Sequence, residues 1–144
     1  MTRSATERLE LRHRYDHTPD RVFDAWTDAR GMTSWMRPGP TTDVKAELDV
    51  REGGAFSIDM IFGDQSILHT GTYEVVDRPR RLVFTWNAPH LDVPTKVSLD
   101  FRAVDGGTEL VLVHEGLPSE ESVTNHTQGW AQILGHLEAS LGEA

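Results

Sequence analysis

Hydrophobic and polar residues follow two rhythms along this chain. In "TERLELRHRYDH", residues 6–17, they alternate: Leu9, Leu11, His13 and Tyr15 share one face and Glu10, Arg12 and Arg14 the other, as in a half-buried strand. The period then lengthens. Thr18 offers a capping hydroxyl ahead of Pro19, whose missing N–H costs nothing at the first helical position, and Val22, Phe23 and Trp26 form an inner stripe. A second short helix is predicted next, capped by Asp28, with Met32, Trp35 and Met36 on its apolar side. The prolines of "RPGP", residues 37–40, end it.

Alternation returns in "TDVKAELDV", "GAFSIDMIF", "ILHTGTYEVV", "RLVFTWNA", "TKVSLDFRAV" and "TELVLVHEG". The connections between them are short and rich in Gly, Pro and Asp, as hairpins require, so the runs predict an antiparallel meander. Period two gives each strand an inner face: Phe56, Ile58, Met60 and Phe62; His69, Gly71, Tyr73 and Val75; Leu82, Phe84 and Trp86; Val97, Leu99 and Phe101; Leu110, Leu112 and His114. Asp59, Glu74, Lys96, Asp100, Arg102 and Glu109 fall on the opposite side. Such a split leaves one face of the sheet in solvent and needs a cover for the other.

The cover is a long helix. Ser119 caps it, Glu120 and Glu121 sit in its first turn where the dipole favours anions, and Gly142 ends it. Its stripe is Val123, His126, Trp130, Ile133, Leu134, Leu137 and Leu141. A twisted seven-stranded sheet curls, and one helix about 10 Å wide cannot fill its hollow. The remaining gap is either packed with large side chains or left as a pocket. "NHTQGWAQILGHL", residues 125–137, bears on this, because a helical Gly is unfavourable by roughly 1 kcal/mol relative to Ala. The expectation is that Gly129 permits a close approach and that Trp130 is a wall of the gap.

Composition narrows the setting. The 144 residues, 38% hydrophobic and 26% charged, are expected to form one domain, 1–144, with an ordinary core. There is no apolar run of membrane-spanning length and no signal-like apolar start, so the expectation is a cytoplasmic protein without a membrane role. The absence of cysteine excludes disulfides, thiolate metal sites and a cysteine nucleophile. A net charge of −9 disfavours nucleic acid; the basic run "DRPRR" is short and most simply solvates a turn.

Several stretches carry a resemblance: "TPDRVFDAWTDARGMTSWM" with "PGP", "REGGAF", "GTYEVVDRPRRLVFTW", "GGTELVLVHEGL" and "GWAQILGHLEASL". In this order they resemble the activator of heat-shock protein ATPase homologue-like (AHSA-like) family of the START-like, or SRPBCC, superfamily, over nearly the whole chain. The resemblance implies an α+β helix-grip fold: a curved seven-stranded antiparallel sheet around a long C-terminal helix, with two short helices between the first and second strands and a cavity beneath. It implies less about activity, since one fold hosts many functions. The superfamily includes lipid carriers, hormone-binding allergens, polyketide cyclases and aromatases. The eukaryotic chaperone activators carry an additional N-terminal domain, where this chain has only a short segment before its first strand.

The leading expectation is therefore a binding protein for a small hydrophobic molecule, aromatic or polyketide- or lipid-like, held between sheet and helix. The expected ligand-binding residues are Trp26 and Trp35 from the helices and Phe56, Ile58, Met60, His69 and Tyr73 from the first half of the sheet. Phe84, Trp86, Leu99, Phe101, Leu112 and His114 come from the second half, and Trp130 and Leu134 from the long helix. Each has an alternative reading as core, and Trp35 an alternative as a lid. A runner-up is a cofactor-independent cyclase or aromatase in which His69, His114 or Tyr73 moves protons; the bland reading of both histidines is structural. A third reading is a chaperone-associated stress-response module, predicting a chaperone complex and ATPase stimulation.

No metal site is expected. "HEGLP" places Pro118 where a zincin motif needs histidine, and His126 and His136 sit on different faces of their helix. No nucleophile elbow occurs, and no cofactor is expected. A homodimer through an edge strand or an exposed helix face stays open.

Overall fold

The computed structural model describes residues 7–89, 91 and 94–142. Strand β1 (Glu7–Tyr15) leads into helices α1 (Pro19–Trp26) and α2 (Ala29–Met32). Six strands follow, β2 (Asp43–Leu48), β3 (Ala55–Phe62), β4 (Gln65–Asp77), β5 (Arg81–Trp86), β6 (Thr95–Val104) and β7 (Gly107–Leu117), before helix α3 (Glu120–Gly142). The seven strands form one antiparallel sheet in the order β1-β7-β6-β5-β4-β3-β2. The meander thus runs unbroken from β2 to β7, and β1 closes it beside β7. The helices α1 and α2 carry the chain between the two edge strands. With α3 across the hollow, this is the helix-grip fold.

The local chemistry explains the elements. Thr18 accepts a hydrogen bond from the Arg21 N–H at 3.3 Å, and Ser119 accepts one from the Ser122 N–H at 3.1 Å, so both predicted caps form. At α2 the cap differs from expectation, because the Asp28 side chain makes no capping bond and only its carbonyl accepts from the Met32 N–H. The helix is a single turn, and Trp35 and Met36 lie beyond it, fully buried.

The inner face is as predicted with one correction. Tyr73 pairs with Phe84, but the register shifts before Val75, which pairs with Val83, while Val76 pairs with Leu82. Leu82 is a core residue and Val76 packs against the core. A bulge has inserted one residue, so every later side chain of β4 changes sides and Val76 replaces Val75 on the inner face. Two positions before Tyr73, Gly71 lies opposite Phe56. A Cβ there would lie 2.0 Å from the Thr85 carbonyl oxygen and 2.5 Å from the Phe56 ring, so the β5 backbone and the Phe56 side chain leave room only for glycine.

The helix α3 rests mainly on β1 and β7. Its second half is fastened: the Tyr15 hydroxyl donates to the Leu134 carbonyl at 2.9 Å, Arg21 donates to the Leu141 carbonyl at 3.0 Å, and His13 Nε2 lies 2.6 Å from Glu138. Leu134, Leu137 and Leu141 are buried there. Outside, cross-strand pairs such as Arg81–Asp100 and Lys96–Glu74, both 2.9 Å, keep the solvent face polar. No helix among the described residues is long and apolar enough to cross a membrane.

Candidate functional site

The middle of the grip is packed with aromatic rings. Trp26 stands 4.9 Å from Trp35 and 6.2 Å from Trp130, and Trp86 stands 5.1 Å from Trp130, between ring centroids. All four indoles are buried. The space left between them and the sheet is only about 10 Å³, room for one water at most. It is lined by Phe56, Ile58, Tyr73, Phe84 and Trp86 from the sheet and by Trp26 from α1. The segment after α1 closes it with Met32 and Met36. Trp35 belongs to this core, edge-on to Trp26, and is not a lid.

A larger space, about 160 Å³, lies where the first half of α3 parts from the sheet. Met60, His69 and Trp86 form its sheet side. Asn125, His126, Gly129, Trp130 and Ile133 form its helix side, and Pro38 closes one flank. The Pro38 loop is held to the helix, because the Gly39 N–H donates to Gln132. At Gly129 an added Cβ would meet the Pro38 Cβ at 3.5 Å, an ordinary contact. Close packing therefore does not require glycine there; the missing side chain instead widens the pocket.

Behind the pocket wall runs a chain of buried hydrogen bonds. The Trp130 indole N–H donates to His114 Nδ1 at 3.0 Å, and His114 Nε2 lies 2.7 Å from the Thr95 hydroxyl. That hydroxyl donates onward to the Trp86 carbonyl at 2.7 Å. Since Thr95 has spent its proton on the carbonyl, it accepts from His114, and the imidazole carries its proton on Nε2. His114 is wholly buried. Burial, and secondarily the nearby His126, pulls its pKa down to about 3, so it stays neutral.

The proposed proton-moving groups do not converge. His69 lines the pocket and lies against Trp86, with ring centroids 4.8 Å apart. Tyr73 lines the narrow inner space, and its hydroxyl is held protonated by burial, then by Asp49. His114 lies behind Trp130 with both ring nitrogens engaged. His126, by contrast, lines the pocket; its Nδ1 donates to the Ser122 carbonyl at 2.7 Å, and its ring stands edge-on to His114, 5.0 Å away.

Of the residues singled out in the sequence, Met60, His69, Trp86 and Trp130 line the pocket. Trp26, Phe56, Ile58, Tyr73 and Phe84 line the inner space. Trp35, Leu99, Phe101, Leu112, His114 and Leu134 line neither and are buried. Sequence reasoning did not single out Pro38, Asn125, His126, Gly129 and Ile133 as lining a pocket, which they do. A signal existed: the first half of α3 is polar, whereas the second half carries the buried leucines. Among the described residues, no group of three or more His, Asp or Glu side chains could hold a metal ion.

The same architecture recurs in solved structures. A Rhodobacter sphaeroides protein matches with a TM-score of 0.84 at 23% identity, covering 97% of this chain and 95% of that one. CalU16 from Micromonospora echinospora matches at 0.71 and 26% identity, covering 95% and 86%. The Plasmodium falciparum protein PFC0360w, an HSP90 activator, matches at 0.75 and 28% identity, covering 94% and 96%. No curated protein sequence matches the chain. Residues 16–142 match the profile described as "Activator of Hsp90 ATPase homolog 1-like protein", and the chain belongs to that family.

Proposed function

We propose that the protein binds a small apolar molecule, about the size of a single aromatic ring, in the pocket between the first half of α3 and strands β3 to β5. The observation that carries this is the pocket's size together with its walls. At about 160 Å³ it is comparable to an apolar cavity of about 150 Å³ known to admit benzene. Trp86, Trp130, Met60 and Ile133 supply an apolar lining, and Asn125, His69 and His126 supply convergent polar groups. Polyketides, sterols and flavonoids ordinarily need pockets of about 300–1,000 Å³, so the ligand class is smaller than the resemblance implies. A thermal-shift series tests this. Single-ring aromatics at a hundred times their Kd should stabilise the protein by about 2.7 kcal/mol, and sterols or flavonoids should not. Stabilisation by the large ligands alone would defeat the reading.

A second reading is association with an Hsp90-type chaperone. It is favoured by the match to the Plasmodium falciparum HSP90 activator, which spans almost all of both chains. It predicts a complex with the chaperone's middle region and stimulation of its ATPase by this chain; absence of both removes it. The cyclase or aromatase reading has less support, because only His69 of its three candidates lines the pocket.

A further inference from the structure

Every described residue that lines the pocket stands on a strand or on α3 except Pro38, which stands on the loop between α2 and β2. The two feet of that loop are pinned. Arg37 donates from Nε to the Thr33 carbonyl at 2.7 Å and from Nη1 to the Thr42 carbonyl at 2.9 Å. The Thr42 N–H in turn donates to the Ile61 carbonyl of β3 at 2.7 Å. Between the feet the chain closes on itself, because the Thr41 hydroxyl and N–H both donate to the Pro38 carbonyl, at 2.7 and 3.3 Å. The turn can therefore shift against α3 without losing its own bonds. Among the described residues, one hydrogen bond joins its crest to α3: the Gly39 N–H donates to Oε1 of Gln132. Both residues are exposed, so water competes for each partner and the bond yields at modest cost.

We infer that Gln132, which does not itself line the pocket, sets the size of ring system the pocket accepts by holding the Pro38 flank against α3. This rests on the pocket being a ligand site, as proposed above. With the bond made, the pocket keeps its single-ring volume of about 160 Å³. A fused two-ring molecule needs more room, and Pro38 is the wall that gives it without disturbing a strand or a helix. Such a ligand has to break the Gly39–Gln132 bond on entry, whereas a single ring does not. Gln132 thus determines specificity through Gly39 and Pro38.

Toluene and naphthalene provide the test, with affinities read from NMR titrations of the full chain and its variants. Gln132→Ala removes the acceptor, so naphthalene no longer has a bond to break while toluene gains nothing. The naphthalene-to-toluene affinity ratio should rise about fivefold, the factor expected of one hydrogen bond. Gln132→Glu keeps an oxygen acceptor for the Gly39 N–H and should retain the wild-type ratio. Gln128→Ala, an exposed change one turn earlier on α3, should also retain it, which separates the latch from a general effect of alanine on the helix. In the wild-type protein, saturating naphthalene should move the Gly39 amide proton upfield, as loss of a hydrogen bond does, and toluene should leave it in place. An unchanged ratio in Gln132→Ala, an equal rise in Gln132→Glu or Gln128→Ala, or a Gly39 proton unmoved at saturating naphthalene overturns the inference and leaves the pocket standing. So does failure of naphthalene to bind both the wild type and Gln132→Ala. Failure of toluene to bind the wild-type protein overturns the pocket itself.

Discussion

At the scale of single residues, His114 shows how a titratable group becomes part of the scaffold. Its Nδ1 accepts from Trp130, its Nε2–H donates to Thr95, and it is fully enclosed, so protonation would break a bond and leave a charge without water. The folded pKa of about 3 lies below the ordinary value of 6.5. Between those values the unfolded chain binds a proton that the folded chain refuses. The stability from this group is therefore complete above pH 6.5 and is lost as pH falls toward 3, by about 1.4 kcal/mol per unit. In His114→Gln the amide oxygen can accept from Trp130 and the amide nitrogen can donate to Thr95, with nothing left to titrate. Urea unfolding at pH 7 and pH 5 should show the wild type losing about 2 kcal/mol more than the variant. Equal losses would mean that His114 is protonated in the fold. That both nitrogens are engaged was not legible in the sequence, which placed His114 on the inner face but could not pair it with a tryptophan sixteen positions away.

At the scale of elements, the alternating pattern carried most of the fold, and it failed where geometry interrupts the pattern. Strand β6 occupies Thr95–Val104, the whole predicted run, because its alternation is uninterrupted. On β4 the same reasoning placed Val75 inside, since a bulge adds a residue without changing the hydrophobic string. Gly71, just before it, is fixed by contacts with Phe56 and the Thr85 carbonyl. Gly71→Ala should lower stability by about 1–3 kcal/mol, read from denaturant midpoints. Gly129 should behave in the opposite way. An added methyl meets only Pro38 at contact distance and replaces a weak helix former in α3, so Gly129→Ala should raise stability by up to about 1 kcal/mol. The same methyl intrudes on the pocket that Gly129 lines, and affinity for a single-ring ligand should fall. A variant that gained stability and kept its affinity would remove Gly129 from the site.

At the scale of the whole molecule, α3 divides into a fastened half and a half that borders a space. Tyr15, Arg21 and His13 tie its second half to β1 and α1, and the leucines there complete the core. The first half has Asn125, His126 and Gly129 along the pocket instead. The grip was legible in the sequence because it follows from which residues are apolar. The fill of the grip was not, because it depends on how four indoles from distant segments share one volume, and periodicity contains no volumes. The division of α3 has a dynamic consequence, since local opening follows the density of buried contacts. Backbone amides from about His126 to Ile133 should exchange with deuterium faster than those from Leu134 to Leu141 in the unliganded protein. A saturating single-ring ligand bridges the first half to Met60 and Trp86 and should slow its exchange toward that of the second half. Tyr15→Phe provides the counterpart, removing one buried hydrogen bond of about 1 kcal/mol and speeding exchange around Leu134 without changing ligand affinity. Uniform protection along α3 before and after ligand addition would show that the helix moves as one rigid unit, and that the pocket is a fixed gap which needs no local opening to be filled.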